Sequence, residues 1–154
     1  MSTITETSTD QRLQLAIRAT PDQVWQALTD GAVSPAYYLG FEAHYDDLSA
    51  GAPYTYTAGG GDMITGRILE VEAGRRLRVT FNGHWAPDVD ALPESVVTFT
   101  VFEPFMPMPG VTFLSCVHEG LPDVEAARNL ELGWVAILSG LKTLLETGAP
   151  MSAA

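Results

Sequence analysis

The chain is poor in three things, and each shortage excludes something. It has a single cysteine, Cys116, so no intrachain disulfide can form and a reducing cytoplasm is the expected compartment. It has 8 Lys and Arg against 19 Asp and Glu, a formal net charge of −11. Phosphate backbones and anionic membrane surfaces are held by clustered basic side chains, so neither nucleic acid nor a membrane is an expected partner. No stretch approaches the ~20 apolar residues of a membrane span. The opening Met1-Ser-Thr-Ile-Thr-Glu-Thr-Ser-Thr-Asp10 has neither the basic nor the apolar region of a signal peptide and reads as a disordered lead-in. Charged residues make up 18% of the 154, below the ~25% of ordinary soluble domains. Some surface, inside or out, must therefore be neutral.

What is present follows two periods. Leu13, Leu15 and Ile17 alternate with polar neighbours, the mark of a half-buried strand over 12–18. Thr20-Pro21-Asp22-Gln23 then supplies a capping box with proline at the first helical position, starting a helix of about ten residues. Residues 32–40 predict a second short helix or turn that places Tyr37, Tyr38 and Leu39 near the core. Strand-like runs follow at about 41–46, 53–58, 63–72, 76–82, 95–103 and 111–119, with turn signals such as Gly59-Gly60-Gly61-Asp62 between them. Spacing this short predicts antiparallel, hairpin-linked strands with one apolar face. From 124 to 147 an apolar stripe runs at helical spacing, with Asp123 as the expected N-cap and Gly148 as the stop. An antiparallel sheet must cover its apolar face, so the order predicts an α+β fold: a curved sheet wrapped around the long C-terminal helix. Where the two diverge, a pocket remains.

These residues resemble the helix-grip superfamily called START-like or SRPBCC, and within it the activator of Hsp90 ATPase homologue 1-like branch. The resemblance rests on Ala19–Asp30, on Gly66-Arg67-Ile68-Leu69-Glu70-Val71-Glu72 running into Arg75-Arg76-Leu77, on Val97-Thr98-Phe99, on His118-Glu119-Gly120-Leu121-Pro122, and on Gly133–Gly148. It implies a helix-grip fold of six to seven strands, two short helices after the first strand, and one domain over 11–149 between a lead-in at 1–10 and a tail at 150–154. It implies no cofactor. The superfamily includes lipid and sterol carriers, polyketide aromatases and chaperone activators, so fold alone does not choose the chemistry.

Candidate pocket residues are the large aromatics Trp25, Tyr38, Phe41, Tyr54, Tyr56, Phe81, Trp85, Phe99 and Trp134, with His118 and Leu130. Aromatics with a polar tip suit an apolar cavity with a few orienting hydrogen bonds; the same residues equally fill a core. Leu114, Cys116 and His118 share one strand face, which would put an imidazole near the pocket mouth if that face is concave. Gly133 and Gly140 each cost ~1 kcal/mol in a helix interior, which close packing or space beside a ligand would explain. No histidine has a second ligand at metal spacing, and Ser139-Gly140-Leu141-Lys142 matches an acyl-enzyme pattern without its companion motifs. Arg67, Arg75, Arg76 and Arg78 read as strand-surface charge. The leading expectation is a non-catalytic binder of a small apolar or aromatic molecule. An aromatase or cyclase using Tyr56 or His118 comes second, and a chaperone-interacting module third. Phe113 and Val117, on the face opposite Leu114 and Cys116, leave a homodimer open.

Overall fold

The computed structural model describes residues 9–152; the expected lead-in lies outside them up to residue 8, and the expected tail does so at 153–154. Strand β1, Gln11–Ile17, carries the predicted alternation and ends on a fully buried Ile17. Helix α1, Pro21–Thr29, begins as expected: the Gln23 N–H donates to Thr20 Oγ1 at 3.2 Å, and the Thr20 N–H donates to the Gln23 amide oxygen at 2.8 Å. The second short helix is one 3-10 turn, Ser34–Ala36. It buries Tyr37 and Tyr38, but Leu39 is 52% exposed, contrary to expectation. The chain reverses here toward the next strand, and Leu39 takes the left-handed backbone of that reversal, φ 55°, which carries its side chain away from the core.

Six further strands follow: β2 Glu42–His44, β3 Pro53–Ala58, β4 Gly61–Glu72, β5 Arg76–Gly83, β6 Ser95–Phe102 and β7 Thr112–Glu119. A one-turn helix, α2 Pro87–Asp90, interrupts the β5–β6 connection; it was not anticipated. The sheet order is β1-β7-β6-β5-β4-β3-β2, antiparallel at every pairing. Register shifts at Tyr56/Thr57 and Ile68/Glu70 are the irregularities that bend a sheet out of plane. The long helix α3, Glu125–Thr147, closes the chain and ends on Gly148 at φ 79°, the left-handed cap expected of glycine. Its N-cap is Val124, which has no side-chain bond. The Asp123 carboxylate instead accepts from Arg128 at 2.8 Å, so an ion pair with the first turns replaces the cap.

Helix α3 is fastened along the edge strand. Gln11 Nε2 donates to the Ala127 carbonyl at 2.8 Å, Lys142 Nζ to the Ala16 carbonyl at 2.6 Å, and the Arg18 N–H to the Glu146 carboxylate at 2.8 Å. Lys142 also donates to Glu146 at 2.7 Å, and this bond, with the one from Arg18, holds the Glu146 carboxyl below its usual range. The Ser-x-x-Lys match is thus explained by a lysine that pins a helix. The arginine cluster pairs on the sheet surface as expected, with Arg76 and Arg78 on Glu70 and Arg75 on Glu72. The core lies between the inner sheet face and the two main helices. It includes Ile17, Val24, Leu77, Leu114 and Leu141, all 0% exposed, each stabilising the fold by about 1.5–3 kcal/mol. Phe113 and Val117 are half-buried on the outer face, where the Phe113 ring meets Phe102 edge-on.

A candidate ligand cavity beneath the second helix

Bound to β1 on one side, α3 leaves β4 and the β5–β6 connection uncovered on the other. A cavity of about 430 Å³ opens there, within the ~300–1,000 Å³ of small-molecule sites. Tyr38 and Phe41 line it from the segment after α1, Ile64 from β4, Phe81 from β5, Trp85 and Val89 from the β5–β6 connection, and Leu130, Trp134 and Ile137 from α3. Exposed Leu39, Trp85, Asp88 and Asn129 stand at its mouth.

The wall formed by α2 depends on local chemistry in the sequence. A Cβ on Gly83 would lie 2.6 Å from Val89 Cγ1 and 2.7 Å from Trp85 Cζ3, so only glycine lets the connection fold back on the end of β5. His84 then fastens it. Its Nδ1 lies 2.6 Å from the Asp90 carboxylate, its Nε2 lies 2.8 Å from Thr65 Oγ1, and its N–H donates to the Met63 carbonyl. Pro87 at the first helical position supplies a preset φ.

On the inner side, Trp134 is buttressed from the sheet. Its indole N–H donates to His118 Nδ1 at 3.0 Å, and His118 Nε2 lies 2.7 Å from Ser95 Oγ. A donor facing Nδ1 fixes the imidazole as neutral with its proton on Nε2, so Nε2 donates to Ser95. Ser95 in turn donates to the Phe81 carbonyl. Burial lowers the His118 pKa to about 4, because a charged ring would lose its hydration here. His118 is 0% exposed and lies behind the wall, not at the mouth: Trp134 and Phe81 stand beside it with ring centroids 5.8 and 4.8 Å away.

The tyrosines divide in the same way. Tyr37 donates to the Ala27 carbonyl at 2.6 Å, Tyr54 to the Thr80 carbonyl at 2.5 Å, and the Tyr45 and Tyr56 hydroxyls lie 3.2 Å apart. Burial, the leading cause for each, raises their phenol pKa values well above the usual value. Tyr38 is different. Its ring lines the cavity and packs against Tyr56, the centroids 4.4 Å apart and the planes tilted by 32°, yet among the described residues its hydroxyl has no hydrogen-bond partner.

The structure therefore brings Tyr38, Phe41, Phe81, Trp85, Leu130 and Trp134 to one cavity. Tyr56, Phe99 and His118 stand behind that set, Phe99 meeting Trp134 edge-on at 5.8 Å. Tyr54 is in the tyrosine layer behind Tyr38, and Trp25 is partly buried on α1. Strand alternation tells which face a residue takes but not which stretch of that face the helix covers. Sequence reasoning missed Asp88 and Asn129, the polar rim; a proline followed by an acidic residue in Pro87-Asp88 was a short-helix signal for the first. Gly140 abuts Tyr37, where a Cβ would lie 3.3 Å from its carbonyl oxygen. Gly133 has nothing within 4 Å and lines the cavity, so the two glycines have different reasons. Cys116 is fully buried and burial pushes its thiol pKa up. Among the described residues no group of three or more His, Cys, Asp or Glu could hold a metal, and no helix is long and apolar enough to cross a membrane.

Comparison with known proteins places this geometry. The chain is similar to protein CV1439 from Chromobacterium violaceum, with 29% identity and a TM-score of 0.69 over 90% of this chain and 97% of that one. It is also similar to DynU16, a protein in the dynemicin biosynthetic locus, at 23% identity and a TM-score of 0.72, covering 94% of this chain and 49% of that one. An HSP90 activator from Plasmodium falciparum shares the fold at 17% identity and a TM-score of 0.70, covering 88% and 95%. No curated protein matches in sequence. The family model described as activator of Hsp90 ATPase homolog 1-like protein matches residues 18–146, and the chain belongs to that family.

Proposed function

We propose that this protein binds a small apolar or aromatic molecule in the cavity between the sheet, α2 and α3. One observation carries the reading: five aromatic rings converge on about 430 Å³ of open space, and the one tyrosine among them has a hydroxyl with no partner in the described residues. Such a hydroxyl orients a ligand in an otherwise apolar site. The cyclase reading assigns acid and base work to Tyr56 and His118, but both are engaged behind the wall. A thermal-shift screen of hydrophobic ligands, with native mass spectrometry of the freshly purified protein, tests the binding reading. Gly133→Leu, which fills the space, is expected to abolish any stabilisation while leaving the fold intact. Absence of both a co-purified molecule and any stabilising ligand would remove the proposal.

A second reading, a module acting on Hsp90, is supported by the family and by the β6–β7 connection, which leaves Phe105 90% exposed with Met106 and Met108 beside it. Adding the protein to purified Hsp90 and measuring ATP hydrolysis tests it; an unchanged rate removes it. Light scattering at micromolar concentration decides the homodimer suggested by Phe113 and Val117.

A further inference from the structure

We propose that the cavity selects a cationic, amine-bearing aromatic molecule over neutral or carboxylated ones, an inference that rests on the ligand-binding reading above. The argument is an inventory of charge around the space. The Asp88 carboxylate, the Asn129 amide oxygen and the Tyr38 hydroxyl on the lining can each accept a hydrogen bond, and of the two indole donors there Trp134 is already spent on His118. None of the 8 Lys and Arg of the chain lines it, and neither does a histidine. The nearest in sequence, Arg128, pairs with Asp123.

Among the described residues Asp88 is the one acidic group on the cavity lining, and no arginine or lysine faces it as they face Glu70, Glu72, Asp123 and Glu146. The one bond found for the Asp88 carboxylate comes from the N–H of its neighbour Val89, at 3.0 Å. It belongs to the wall that Gly83 and His84 hold in place and shares the cavity lining with Trp85 and Phe41, whose ring centroids are 6.1 Å apart. A carboxylate beside aromatic faces attracts a cation twice, by ion pairing and through the ring quadrupoles. A carboxylated ligand would enter opposite a negative charge and meet no cation on the lining, and the net charge of −11 adds repulsion at longer range.

The test uses three probes with one ring system: 2-(aminomethyl)naphthalene, 2-(hydroxymethyl)naphthalene and 2-naphthoate, titrated calorimetrically into the intact chain at neutral pH and low salt. The amine is expected to bind about tenfold more tightly than the alcohol, with naphthoate weakest, since an ion pair near the surface and a cation–π contact together are worth about that factor. Asp88→Asn is expected to erase the preference, bringing the amine's affinity to that of the alcohol in the same variant. Raising salt narrows the gap. Equal affinities for amine and alcohol, or tighter binding of naphthoate, would overturn the cation preference while the cavity reading stands. Binding of none of the three at millimolar concentration would overturn both.

Discussion

His118 makes the fold sensitive to mild acid, by an amount the structure allows to be worked out. Between Trp134 and Ser95 the ring is neutral, and burial lowers its pKa to about 4 from an ordinary 6.5. The unfolded chain therefore takes up the proton first. Stability from this group is complete above about pH 6.5, falls as the pH drops, and levels off near pH 4. The full loss is roughly 3 kcal/mol at ~1.4 kcal/mol per unit, and about 2 kcal/mol of it is gone by about pH 5. With a urea slope of roughly 2 kcal/mol per molar, the midpoint should move down by about 1 M between pH 7.5 and 5. Carboxylates titrate in the same range, so the assay is the difference between wild type and His118→Gln. The glutamine amide keeps one acceptor and one donor but carries no titrating proton. The variant starts less stable and its midpoint should fall more gently with pH. Parallel curves, or a folded-state resonance assigned to the His118 imidazole by its loss in His118→Gln and titrating near pH 6.5, would refute the reasoning.

The two helix glycines should part company. Gly133→Ala removes a helix penalty in open space and should raise the melting temperature by about 2–4 °C, the equivalent of about 1 kcal/mol at this size, while weakening any ligand that occupies the added methyl's place. Gly140→Ala should gain nothing or lose stability in the same melts, because Tyr37 must give way at 3.3 Å. Thr20→Ala breaks the capping box and should cost about 1 kcal/mol in urea unfolding. Cys116, buried with a raised thiol pKa, should react with a disulfide reagent only after denaturant is added; rapid labelling of the native protein would contradict that burial.

The fold was largely legible because its elements announce themselves locally. The capping box at Thr20, the alternation at Leu77, Val79 and Phe81, and the apolar stripe from Leu130 to Leu145 are each set by neighbours a few residues apart. The cavity was legible only in part. Its aromatics appeared as a set, but Phe99 and Phe81 share the same alternation and differ only in whether the helix lies over them, a fact of tertiary placement. His118 went behind the wall rather than to the mouth because Trp134, well beyond it in sequence, closes over that stretch. The acidic rim was hidden in α2, four residues from Pro87 to Asp90, too short to show a period.

The strand order has a consequence for how the protein is made. Gln11 in β1 pairs with His118 in β7, so once β1 has left the ribosome it finds its sheet partner only after about a hundred more residues, roughly 5–20 s of synthesis. Over that interval the meander β2 to β7 can zip hairpin by hairpin, but β1 has no ladder to join. The helix that covers the inner face, and is itself fastened to β1 by Lys142 and Glu146, is made after all seven strands. Sheet closure and core burial are thus late, coupled events, and the nascent chain carries an uncovered apolar face until its final turns are complete.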